Sequence, residues 1–247
     1  QVLQDRGGWA VRETAEAFAE YTAAVAARLG DRVRSWATHN EPWCIAVLGH
    51  EEGCHAPGHR DPAEALRVAH HLLLSHGLAT EILRREAREA EVGIVLNAVP
   101  VEPASTGDAD RDAARRLDGT FNRWYLDPLV HGRYPEDVVA DHVRRGHLAS
   151  PELPFVEPDD LRIAADGRGM VFDPNPVHSQ GDGSLTDNGD KATAGLGRAM
   201  RLVTLPRLDG TGFLRGQWVT LLDSPVLAFD RDDDFSWADR SHHVFEQ

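Results

Sequence analysis

Apolar positions recur at helical spacing between residues 11 and 29, where Phe18, Tyr21, Val25 and Leu29 lie in a stretch rich in Ala and Glu. This predicts a helix, with Gly30 in the usual stopping position. A short β-like run over 32–38 follows. Asp61-Pro62 then has the signature of a helix start, Asp as cap and Pro in the first turn. That second helix is expected to reach about Ala90, with Leu66, Ala69, Leu73, Gly77, Leu78 and Ile82 turned inward. Residues 92–98 form a continuous apolar run between Glu91 and Pro100, the pattern of a buried parallel strand. Further helices are predicted over 108–129 and 135–145, and a proline-rich loop over 151–158. Such alternation of helix and strand is that of a parallel α/β fold. Residues 166–196 are dense in Gly, Asp, Asn and Pro and read mostly as loop, with short strands predicted over 216–222 and 225–229.

Composition narrows the classes. The chain has 247 residues, 41% hydrophobic and 27% charged, the profile of a globular protein. Its formal net charge of −14 argues against a nucleic-acid-binding surface, which would be basic. No apolar run approaches the length of a membrane span, and no basic segment followed by an apolar one opens the chain. A cytoplasmic location is therefore expected. Two cysteines make no disulfide framework. Cys44, His50, Cys54 and His55 cluster in sequence but lack paired metal-ligand spacing, so no metal is expected there. His70, His71 and His76 fall on the second helix and are expected to pack or meet solvent. The acidic run 230–234 lacks the ordered ligand pattern of a calcium loop, and no phosphate-cradling glycine motif occurs.

The segment Thr38-His39-Asn40-Glu41-Pro42-Trp43 carries the chemistry. Here a β-like run ends in a polar pair and is stopped by proline. A carboxylate at the C-terminal end of a barrel strand sits where barrel enzymes keep their reacting groups. Pro42 ends ladder pairing and biases Glu41 toward an extended backbone.

This segment resembles the Asn-Glu-Pro signature of family 1 glycoside hydrolases, the retaining β-glucosidases. The likeness continues through residues 1–9, through Gly53-Cys54-His55-Ala56-Pro57-Gly58-His59-Arg60-Asp61, through Val92-Gly93-Ile94-Val95-Leu96-Asn97, and through Asn122-Arg123-Trp124-Tyr125-Leu126-Asp127-Pro128-Leu129 to Gly132-Arg133-Tyr134-Pro135. Together these cover roughly residues 1–165 in the family's order. The resemblance implies a (β/α)₈ barrel, here partial or degenerate because the family's first strands precede the point that matches Gln1. It divides the chain into a closely matching portion, 1–165, and a divergent one, 166–247.

By the same resemblance Glu41 is the acid/base and Asn40 holds the sugar's 2-hydroxyl. Asn97 supports the site. Asp187, in Thr186-Asp187-Asn188-Gly189, stands where the family places its nucleophilic Glu. Aspartate is competent in that role but one methylene shorter, and Asp-Asn-Gly is also a turn signal. In the later sugar-binding motif, Trp237 is available to stack on substrate, while Ser236 replaces a Glu.

The implied reaction is retaining hydrolysis of terminal β-glucosides or β-galactosides, with a small β-glycoside as partner and no cofactor. The alternative is a non-catalytic truncated barrel, structural or self-associating as a homo-oligomer, or an incomplete gene product. A partial barrel exposes strand edges and an apolar sheet face that a second copy would cover.

Overall fold

The computed structural model describes residues 1–98 and 101–167, together with the strand pairing of 170–172, 203–204 and 226–228. Two short helical turns lead into helix α1 (Arg12–Leu29), strand β1 (Ser35–Asn40) and a wide π-helical segment (Cys44–Glu51). Helix α2 (Pro62–Glu86) and strand β2 (Glu91–Val95) follow, then β3 (Val101–Pro103). Next come α3 (Asp108–Asp118), a second π-helical stretch (Gly119–Arg123), α4 (Trp124–His131), α5 (Glu136–Arg144) and α6 (Asp160–Asp166). The last elements are β4 (Met170–Phe172), β5 (Val203–Thr204) and β6 (Val226–Ala228).

The predicted alternation holds. Strands β1, β2 and β4 lie side by side and parallel, β5 adds antiparallel to β4, and β3 pairs parallel with β6. The apolar run of β2 is buried, with Val92, Ile94 and Val95 all under 9% exposed, as a strand covered on both faces requires.

Several boundaries differ from the sequence reading. The first strand begins at Ser35 and runs through Asn40. The amides of Arg32 and Val33 both donate to Leu29 O, so the chain leaves α1 through a tight turn before it extends. Gly30 is not a left-handed cap: its φ is −65°. Its lack of a side chain matters because a Cβ there would meet Glu86 O at 3.1 Å and Ala26 O at 2.6 Å. The ends of α1 and α2 approach through that gap.

Asp61 caps α2 as expected, its carboxylate accepting from the Glu64 amide at 3.0 Å. Leu66, Ala69, Leu73 and Gly77 are buried, while Leu78 and Ile82 are only half-buried. Leu72 and Leu74 are also fully buried, so α2 is covered around most of its circumference. Burying each such leucine is worth about 1.5–3 kcal/mol. Gly77 lets α6 lie directly on α2, because a Cβ would fall 2.2 Å from Ile163 O.

Helix α6 was absent from the sequence reading. It is held by a buried polar network. Asp160, fully buried, accepts from Arg12 Nη1 at 2.7 Å, from His70 Nε2 at 3.0 Å and from the Glu157 amide at 2.9 Å. On its other side His70 Nδ1 lies 3.1 Å from the Tyr134 hydroxyl. Burial opposes ionisation of Asp160, but the bonds from His70 and Arg12 outweigh it and hold the carboxyl below the usual range. A second charged network joins α3 to α5, where Arg115 bonds Asp137 and Asp141 and Arg123 clasps both oxygens of Asp137.

Candidate active site

Strand β1 delivers Glu41 to the C-terminal edge of the sheet. The pairing with β2 is regular from Ser35 to Ala37 and then shifts before Asn40 meets Val95. Within the shifted stretch, two successive side chains both reach α2. Thr38 Oγ1 lies 2.7 Å from His76 Nδ1, and His39 Nε2 bonds Ser75 Oγ at 2.7 Å. Ser75 donates its own proton to Leu72 O, so His39 is the donor to Ser75. His39 stacks on Phe18 and meets the edge of Trp9. Burial lowers His39 to about 3 and His76 to about 4, so both are neutral at pH 7. This packing anchors the strand just before its functional end.

Glu41 does not adopt the extended backbone expected of a residue before proline. Its φ is 46°, in the left-handed region. Two backbone bonds, one local and one to the next strand, hold it there: its amide donates to Val95 O at 2.9 Å, and its carbonyl accepts from the Cys44 amide at 2.9 Å. Pro42 therefore opens the helical segment that continues as Cys44–Glu51, a position proline favours. A non-glycine residue at positive φ costs of order 1–3 kcal/mol and persists where the surroundings over-determine it.

The half-buried Glu41 carboxylate accepts a hydrogen bond from the Cys44 thiol at 2.9 Å. Asn97 Nδ2, just past the end of β2, lies 3.9 Å from the same sulfur. Burial, then the neighbouring carboxylate, push the Cys44 thiol well above its ordinary range, so it stays protonated. Asn40 is exposed and Asn97 is buried. Beside Asn97 a small hollow is lined by Leu96, Ala98, Phe121, Tyr125 and Leu126.

The structure thus brings Glu41, Asn40 and Asn97 to one edge of the sheet. Cys44 is the member the sequence reading did not use. Its signal was its position three residues after the carboxylate, at the first helical turn. Asp187, Ser236 and Trp237 lie outside the described residues. The set Cys44, His50, Cys54 and His55 does not converge; among the described residues His50 faces His59 and Glu64 instead.

Parallel strands covered by helices, with a carboxylate at one strand's C-terminal end, define a barrel-type α/β scaffold. The glycosyl hydrolase family 1 model matches residues 1–171, and the chain belongs to that family. Beta-glucosidase A of Acetivibrio thermocellus is 44% identical over 163 residues, covering 66% of this chain and 35% of that protein. A beta-glucosidase of an Agrobacterium species is 44% identical over 161 residues, covering 65% and 34%. Among solved structures, a beta-glucosidase from Exiguobacterium marinum superposes with a TM-score of 0.62 at 40% identity, covering 66% of this chain and 36% of that one. The family 1 β-glucosidase from Thermotoga maritima gives 0.59 at 39% identity, covering 66% and 35%. The described fold is accordingly a portion of a (β/α)₈ barrel. The chain spans about a third of the length of the relatives it matches.

Proposed function

We propose that this chain carries the acid/base half of a retaining β-glycosidase site acting on terminal β-glucosides. The observation that carries this reading is Glu41, fixed at positive φ on the strand end and backed by Asn97 and Cys44. Glu41 protonates the glycosidic oxygen as the leaving group departs. It then accepts a proton from the water that releases the sugar from the nucleophile. Asn40 holds the 2-hydroxyl, and Trp237 stacks on the sugar face. Asp187 supplies the nucleophile from the divergent portion, 166–247. The reading requires the two carboxyl groups to stand about 5–5.5 Å apart. None of these steps calls for a cofactor.

The test is hydrolysis of a chromogenic aryl β-glucoside by the purified chain beside its Glu41→Gln variant. Loss of about 10²–10⁴-fold in kcat supports the assignment of Glu41. Activity equal in the two folded proteins, or absent from both, overturns it for this chain.

A second reading, a non-catalytic self-associating remnant, is favoured by one feature: among the described strands β1 is the outer member of its sheet, with β2 on one side only. Sedimentation of the chain as a dimer that lacks glycosidase activity supports this reading over the first.

A further inference from the structure

We propose that His50, His59 and Glu64 form a binding site for a divalent transition-metal ion, with Zn²⁺ the expected occupant. The ligand atoms of the three side chains lie within 4.8 Å of one another. The site is independent of the Glu41 chemistry.

His50 lies on the π-helical segment. It is 1% exposed. Its Nδ1 lies 2.8 Å from Ile45 O, and a carbonyl only accepts, so Nδ1 carries the proton. The proton of the neutral ring is therefore fixed, and Nε2 is left as a lone pair. Nε2 is buried and has no hydrogen-bond partner. A buried, unsatisfied polar atom costs about 1–3 kcal/mol and calls for an explanation. An imidazole whose far N–H is held by a backbone carbonyl is also the usual arrangement of a metal-bound histidine.

The neighbouring loop and the first turn of α2 bring the other two ligands. The amides of Gly58 and His59 both donate to Gly49 O, and the Asp61 amide donates to His50 O at 2.7 Å. Gly49 leaves room for this return, since a Cβ there would meet Ala56 O at 2.8 Å. The His59 ring then meets His50 edge-on, centroids 5.5 Å apart. Glu64 is the third residue of α2, where a capping-box side chain would reach back to the cap amide. That amide, of Asp61, is already taken by His50 O. The Glu64 carboxylate turns instead to His59 Nδ1, at 2.9 Å.

Two imidazoles and one carboxylate suit Zn²⁺ and the ions near it in the first transition row. Ligand atoms around a tetrahedral Zn²⁺ stand about 3.4 Å apart, given bonds of about 2.0–2.2 Å. The buried histidine is already fixed, so closing the set falls to the exposed His59 and the half-buried Glu64. The ion takes the lone pair of His50 Nε2, replaces the hydrogen bond between His59 and Glu64 as the His59 proton passes to its other ring nitrogen, and retains an open position for water. It would staple the 53–61 loop to the helical segment that directly follows Glu41.

The experiment is calorimetric titration of the chelator-treated full chain with Zn²⁺, with circular dichroism as a fold control. One ion per chain is expected, at micromolar or tighter affinity. His59→Gln, on an exposed side chain, and Glu64→Gln, on a half-buried one, should each weaken binding by at least about 10–100-fold, the loss that follows even from removing an outer-shell partner of a metal ligand. His50→Gln should abolish it. His142 and His147 also place ring nitrogens 3.2 Å apart, so His147→Gln serves as the control and should leave binding unchanged. Absence of binding at about 100-fold above the expected dissociation constant overturns the proposal. So does equal affinity in the folded wild-type, His59→Gln and Glu64→Gln proteins, or loss of binding in His147→Gln alone.

Discussion

The Cys44 thiol donates to the carboxylate of Glu41 across 2.9 Å, and the two residues also share a backbone bond between the Cys44 amide and the Glu41 carbonyl. The sulfur is a neutral donor held against the carboxylate by burial. Cys54, the other thiol, is exposed. Titration of the folded chain with a thiol reagent at pH 8 should therefore show one fast and one slow cysteine. Cys54→Ser should remove the fast phase. Equal rates for both thiols would contradict the burial of Cys44, because the thiolate is the reacting form.

Glu41 at φ 46° pays a conformational cost that glycine would not. Glu41→Gly should be more stable than Glu41→Ala by about 1 kcal/mol, read from urea unfolding midpoints. Neither should hydrolyse an aryl glucoside. If alanine is tolerated as well as glycine, the left-handed backbone is not maintained in solution.

His39, His76 and His142 are each kept neutral, chiefly by burial, with values of about 3, 4 and 3. Each lies below the ordinary value of 6.5. As pH falls below about 6.5 the unfolded chain takes up protons that the folded chain refuses, so stability is full above that pH and declines toward pH 4. Each histidine contributes about 1.4 kcal/mol per pH unit across that window. His39→Phe keeps the ring contacts with Phe18 and Trp9 and removes the titration. It should flatten the decline by roughly one histidine's share, measured as unfolding free energy against pH. An unchanged slope would remove His39 from the account.

Asp160 works at lower pH. Its folded carboxyl is held below its ordinary value of 3.8, so its contribution is present above about pH 4 and lost as pH falls further. Asp160→Asn leaves Arg12 and His70 facing a neutral amide and should cost about 3 kcal/mol at pH 7. Urea unfolding at pH 7 measures this, and a loss below about 0.5 kcal/mol, the scale of a surface substitution, would contradict it.

Much of this was legible in the sequence, for reasons that also mark where legibility ended. The helix of residues 62–86 announced itself through Asp61, Pro62 and a long apolar stripe, all local signals. Glu41 was legible because Asn40 and Pro42 bracket it. Its positive φ was not, since it depends on a bond to Val95 in another strand. The predicted helix over 108–129 proved helical throughout, but the π-helical turn at Gly119–Arg123 was hidden. Gly119 approaches Val138 so closely that a Cβ would fall 2.5 Å from its Cγ2, a tertiary contact that no local pattern reports. Helix α6 is short, and the charge at its start is paired through one carboxylate oxygen with Arg12 and His70, far away in the chain. His50 and His59 likewise match no ligand spacing; a folded loop brings them together.

The ion pair between Arg12 and Asp160 closes a loop of 148 residues. Such a contact carries a larger loop-closure entropy than the local bonds of the helices it joins, so it is expected to form after them. The expectation is a late contact outside the nucleus. Weakening it should leave the refolding rate nearly unchanged while accelerating unfolding. The pair thus acts as a latch on kinetic persistence, setting how long the folded state endures more than how quickly it is reached.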